Sequence, residues 1–95
     1  MTRNPLSTDF KVACAIYEAQ INDQPIWFTK LVERLNGIVS KNTISDALDA
    51  LFDWGIIKAE YGPTDSGRAG RLFKISNEHK DRIKDLYENF WKITE

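Results

Sequence analysis

Two short amphipathic segments, held only a few residues apart, limit the folds open to this chain more than any other feature. In the first, Leu31, Val32 and Leu35 recur at helical spacing; in the second, Ile44, Ala47, Leu48, Leu51 and Phe52 do, and Asn36, Gly37, Ile38 and Val39 form a tight turn between them. Thr29 is placed to cap the first segment and Ser40 the second, because a hydroxyl there accepts from an orphan N–H of the first turn. Asn36 and Gly37 stop the first helix early, and Gly55 stops the second. Helices this short are marginal alone in water, so both have to lay their apolar stripes against further elements.

The flanking sequence supplies those elements. Ser7, Thr8 or Asp9 can cap a helix from about residue 8 to 21, whose apolar positions are Phe10, Ala13, Cys14, Tyr17 and Ile21. The polar break at residues 22–25 precedes Ile26, Trp27 and Phe28, a run that suits one brief strand. Beta-forming residues from Ile56 to Tyr61, turn chemistry from Gly62 to Gly70 and strand composition from Arg71 to Ile75 together read as a hairpin with a long tip. Ser76 or Asn77 can cap a last helix, about residues 77–93, carrying Ile83, Leu86, Tyr87, Phe90 and Trp91 on one stripe. The order is helix, short strand, helix, helix, hairpin, helix. That is a mostly helical α+β arrangement, a winged helix-turn-helix with a three-helix core, a hairpin wing and an added C-terminal helix. With 95 residues, one domain spanning 1–95 is expected.

The stretch 39–57, VSKNTISDALDALFDWGII, resembles the recognition-helix segment of MarR-, PadR- and ArsR-type regulators. Ser40, Thr43, Ile44, Ser45, Leu48, Leu51, Gly55, Ile56 and Ile57 match their pattern, and residues 71–76, RLFKIS, are similar to their second wing strand. The similarity runs from about Thr29 to about Glu88. It implies a transcriptional regulator that binds duplex DNA, with the third helix in the major groove and the wing on the minor groove or flanking phosphates.

A recognition helix buries one side and offers short polar or basic side chains near its N-terminus, where the helix dipole also favours phosphate. Ser40, Lys41, Asn42, Thr43, Ser45 and Asp46 occupy that region. Asn42 can pair with adenine, Lys41 can reach guanine or phosphate, and the hydroxyls serve either bases or backbone. Ser40 caps the helix in any case; the others are either such contacts or solvated residues of an ordinary amphipathic helix. Asp46 stands where those families often carry Arg or another polar contact residue, and Asp49 and Asp53 extend the acidity; a carboxylate there repels phosphate unless it accepts from a cytosine amino group. Arg68, flanked by glycines at the hairpin tip, with Arg71 and Lys74 following, suits a narrow minor groove or phosphates.

Phe90 and Trp91 extend the last apolar stripe further than a small three-helix core covers easily. A homodimer is therefore expected, with Phe10, Tyr17, Leu86, Tyr87, Phe90 and Trp91 between first and last helices across a two-fold axis. The alternative is that the last helix folds back on the first within one chain. Trp27 and Trp54 read as packing residues, although aromatics converging on a pocket would suit a small-molecule effector, which the sequence does not otherwise support. His79 reads as a surface residue.

Thirteen Lys and Arg against fourteen Asp and Glu give a net charge of −1, so any DNA-contacting face has to be locally basic. The acidic third helix favours a second class of function, a winged-helix module that binds another protein and not DNA; a basic track through Lys41, Arg68, Arg71 and Lys74 is what separates the two. No nucleophile elbow, phosphate loop or metal spacing appears, and a single His is available, so neither an enzyme nor a cofactor is expected. One cysteine, Cys14, permits no internal disulfide, and no apolar run approaches the roughly 18 residues that span a bilayer. The polar start does not read as a signal peptide, and a cytoplasmic protein without membrane partners is expected.

Overall fold

The first helix, α1 (Thr8–Ile21), is buried along an unbroken run from Val12 to Tyr17, none of it more than 5% exposed. The structure is a computed structural model that describes residues 8–24, 26–63 and 69–91, the side chains of Phe90 and Trp91 excepted. Instead of the single stripe read from the spacing, burial encircles the middle of α1, because α2 (Phe28–Arg34), α3 (Lys41–Asp53), strand β2 (Ala69–Ile75), α4 (Lys80–Leu86) and the π-helical turn Tyr87–Trp91 all pack against it. Ala13, Cys14 and Ala15 keep its waist narrow enough for neighbours on every side. Phe10 at one end is half-buried, and Ile21 at the other is 49% exposed. The remaining core is Leu31 and Leu35 of α2, Ile44, Ala47, Leu48 and Leu51 of α3, and Ile26, Ile56, Ile57, Phe73, Ile75 and Ile83.

Helix ends are set by local chemistry. α1 closes with Gln24 N–H on the Ala19 carbonyl and Asp23 N–H on that of Gln20, both 3.2 Å or shorter, and Asp23 takes the left-handed conformation at φ 56°. α3 closes the same way, with Ile56 N–H on the Leu51 carbonyl and Gly55 at φ 72°, where a side chain would be strained. Between α2 and α3, Gly37 at φ 83° reverses the chain, and Ile38 and Val39 both donate to the Leu35 carbonyl.

Strand β1 (Ile57–Pro63) pairs antiparallel with β2 in the register Ile57↔Ile75, Ala59↔Phe73, Tyr61↔Arg71 and Pro63↔Ala69. Tip residues 64–68, Arg68 included, lie outside the described residues. The hairpin base is fixed from three directions: Ser76 Oγ donates to the Gly55 carbonyl at 2.8 Å, Gln20 Oε1 accepts from Ile75 N–H at 2.9 Å, and the Ile26 carbonyl accepts from Phe73 N–H at 2.9 Å.

These bonds correct three expectations. Ile26, Trp27 and Phe28 form no strand; a single backbone bond from Ile26 to β2 is all the pairing found, and α2 begins at Phe28. Trp27, not Thr29, is the N-cap of α2, with no side-chain cap bond, because its carbonyl already accepts from Leu31. Neither Ser76 nor Asn77 caps the last helix: the Ser76 hydroxyl is turned to Gly55, His79 is the N-cap without a side-chain bond, and it is half-buried. That helix begins at Lys80, later than expected, and α4 gives way at Tyr87 to the wider turn. Among the described residues no helix is long and apolar enough to cross a membrane.

Leu51 is fully buried where α3 meets α1, so Leu51→Ala should lower unfolding stability by about 2–5 kcal/mol in a urea titration read by circular dichroism. Cys14 gives a pH-dependent counterpart. Burial, aided by the nearby Glu18 carboxylate, pushes its thiol from an ordinary 9.0 up to about 12. Its contribution is thus intact below pH 9.0, where the thiol is neutral folded or unfolded, and is lost as pH rises from there to about 12. Cys14→Ala should flatten the alkaline fall in stability relative to the parent between those pH values.

Candidate nucleic-acid interface

Ser40 starts α3 from an extended conformation (φ −73°, ψ 157°), and its Oγ accepts from Thr43 N–H at 3.3 Å while lying 2.7 Å from Thr43 Oγ1. The cap read from the sequence is therefore present, and it also ties up the Thr43 hydroxyl. Ile44, Ala47, Leu48 and Leu51 turn inward, which leaves Lys41, Asn42, Thr43, Ser45, Asp46, Asp49 and Asp53 exposed. All six candidate contacts at the head of α3 are at the surface.

The charges on this helix run against its own dipole. Lys41 stands at the N-terminal end, where backbone N–H groups already make a positive pole, while the first turn has no acidic residue and the last no basic one. Asp49 and Asp53 stand toward the negative end. Such placement costs helix stability by about 0.3–1 kcal/mol per charge and concentrates positive potential at the tip.

The wing divides its residues between two faces. Directly paired residues of an antiparallel ladder share a face, and faces alternate along each strand. Ile57, Ile75, Ala59 and Phe73 point to the core; farther out the same face carries Tyr61 and Arg71, both exposed. Arg71 lies over aromatic rings, its guanidinium carbon 5.0 Å from the Phe52 centroid and 5.9 Å from that of Phe73. Phe52 belongs to α3, so this face of the wing addresses α3. Lys74 is on the other face, with Lys58, and pairs with Glu60 at 3.1 Å across two well-exposed side chains, a contact that water largely screens. Of the wing cations read from the sequence, Arg71 is thus brought to α3, Lys74 is not, and Arg68 is outside the described residues.

A cleft of about 350 Å³ opens between these parts, lined by Trp27, Phe28, Thr29, Ser45, Leu48, Asp49, Phe52, Gly70, Arg71 and Phe73. It sets an acidic residue of α3 opposite the wing arginine. Lys30 stands over the Trp27 ring at 5.1 Å. Sequence reasoning missed Phe52 as the support for Arg71 because its spacing marks it equally as core.

The residues assigned to a dimer interface have mixed fates. Tyr17 is 5% exposed and meets Tyr87 of the same chain with ring centroids 5.4 Å apart. The Tyr87 hydroxyl donates to Glu18 Oε2 at 3.3 Å, and Glu18 Oε1 accepts from Arg34 Nε at 2.7 Å, so one carboxylate joins α1, α2 and the π-helical turn. Burial and the Glu18 charge hold the Tyr87 phenol above its ordinary value. The last helix therefore folds back on the first within the chain. Phe10 and Leu86 are half-buried, Phe10 stacking at 6.5 Å on Trp54, which is 54% exposed; the side chains of Phe90 and Trp91 are outside the description.

No protein-family model matches the chain, and neither does any curated protein. Solved structures do. The circadian-clock-associated protein Pex from Anabaena aligns over 94% of this chain and 81% of its own, with a TM-score of 0.70 at 18% identity. A PadR-like transcriptional regulator from Bacillus cereus aligns over 93% and 90%, with a TM-score of 0.67 at 15% identity. A PadR-family transcription regulator from Clostridium difficile aligns over 92% and 90%, with a TM-score of 0.63 at 17% identity. At such identities the likeness is one of fold, and the chain has the winged-helix fold in common with these structures.

Proposed function

We propose that this chain is a transcriptional regulator that binds duplex DNA, inserting α3 in the major groove and laying the wing on adjacent phosphates or the minor groove. The observation that carries this reading is the exposed head of α3: Lys41, Asn42 and Ser45 project from a capped helix N-terminus whose charges oppose its own dipole. A cation placed there at the expense of the helix is explained by an anionic partner. Arg71, held toward α3 by Phe52, supplies a second cation, and Arg68 at the wing tip is assigned a third contact. Asp46 and Asp49 limit where phosphate can approach and leave cytosine amino groups as their favourable partners.

Pairing of two copies belongs to the same proposal, through the half-buried Phe10 and Leu86 and not through Tyr17 and Tyr87, which meet within the chain. The half-exposed Trp54 stacked on Phe10 supports it, and two copies would present two α3 helices to successive turns of a duplex. One observation favours a different reading: Asp46, Asp49 and Asp53 give α3 an acidic outer side better suited to a basic protein surface.

Fluorescence anisotropy with random duplex over a salt series decides between them. The parent should bind at micromolar affinity at low salt, with a log–log slope of several units, and Lys41→Ala and Arg71→Ala should each reduce the slope by about one. Absence of binding at about 50 mM salt would sink the DNA reading in favour of a protein partner. Lys41→Glu should abolish binding yet raise thermal stability by about 0.3–1 kcal/mol, because the carboxylate suits the helix end.

A further inference from the structure

We propose that Tyr61 is a duplex-contacting residue of the wing, its ring packing on the sugar–phosphate backbone beside the segment read by α3 and its hydroxyl donating to a phosphate. The inference rests on the DNA-binding reading above and adds a residue to it.

Tyr61 is 79% exposed, well above Trp54 at 54%, Ile38 at 51% and Ile21 at 49%. A scattered apolar residue at a surface is ordinary, so exposure alone assigns nothing. Position does more. The register sets Tyr61 directly opposite Arg71, on the face that continues outward from Ala59 and Phe73 and addresses α3. An arginine opposite a tyrosine on one face of a hairpin would ordinarily stack on it and shield it. Here the Arg71 guanidinium is drawn to Phe52 and Phe73 instead. Among the described residues no hydrogen bond, ion pair or ring contact engages Tyr61. The result is an unshielded ring with a phenolic donor, next to a cation, on the side of the wing that faces the recognition helix.

That combination fits a nucleic-acid backbone in particular. Arg71 meets phosphate charge, while the Tyr61 ring covers the apolar sugar edge and its hydroxyl is a neutral donor to phosphate. A neutral donor displaces no counterion, which separates its effect from that of a basic residue.

The test is anisotropy with random duplex DNA over a salt series, using the parent, Tyr61→Ala, Tyr61→Phe and Arg71→Ala, with thermal melts of each. Tyr61→Ala should melt like the parent, bind about tenfold more weakly and keep the parent's salt slope, whereas Arg71→Ala should lose about one unit of slope. Tyr61→Phe should fall between parent and Tyr61→Ala. Parent-like binding by Tyr61→Ala overturns the proposal and leaves the DNA reading standing. A change in sedimentation of Tyr61→Ala with unchanged DNA binding overturns it in favour of a contact between protein copies. If the parent itself binds no duplex, both the DNA reading and this assignment fall.

Discussion

Everything in this fold hangs on the burial of the middle of α1. Six consecutive residues, Val12 to Tyr17, lie out of water, which a helix at the edge of a domain does not do. The condition is met because the three central residues are small and because neighbours from both ends of the chain close around them. α3 and the wing strand β2 are positioned by the same helix, one through packing and the other through packing plus the Gln20 side chain. The angle between α3 and the wing is therefore a property of α1, although α1 contributes none of the proposed DNA contacts.

The Glu18 carboxylate adds a polar joint to this apolar centre. Its two oxygens are divided between Arg34 of α2 and Tyr87 of the π-helical turn, so the C-terminal element is tied to the helix-turn-helix by directional bonds as well as by the Tyr17–Tyr87 ring contact. The pair is only partly buried, so its strength depends on keeping both oxygens of Glu18 partnered at once.

Features with local causes were legible in the sequence. The Ser40 cap, the stops at Gly37 and Gly55 and the inward set of α3 follow from side chains within a few residues of each other, and all are present. Features settled by distant partners were not. Thr29 has cap chemistry, yet α2 starts earlier because Ile26 is bonded to Phe73 and the Trp27 carbonyl to Leu31. Ser76 has cap chemistry too, yet its hydroxyl is taken by Gly55. In the candidate site the exposed head of α3 could be read from spacing, whereas the wing could not be apportioned. Strand composition gives alternation, but which of Tyr61, Arg71 and Lys74 face α3 depends on register, and register is set by the turn and by the Ile57 and Ile75 pair at the base.

The bonds that fix the hairpin base bear on how the protein avoids its own kind. A two-stranded sheet has two open edges, each a template for another chain. Along β2 that edge is occupied near its base, where Phe73 N–H is taken by Ile26 and Ile75 N–H by Gln20. Sheet extension is thereby steered to β1, whose exposed Lys58 and Glu60 would have to be lined up against an incoming strand. At its base the wing therefore offers a strand-pairing partner little purchase, because one rim is occupied there by the protein's own backbone and side chain and the other is lined with charge.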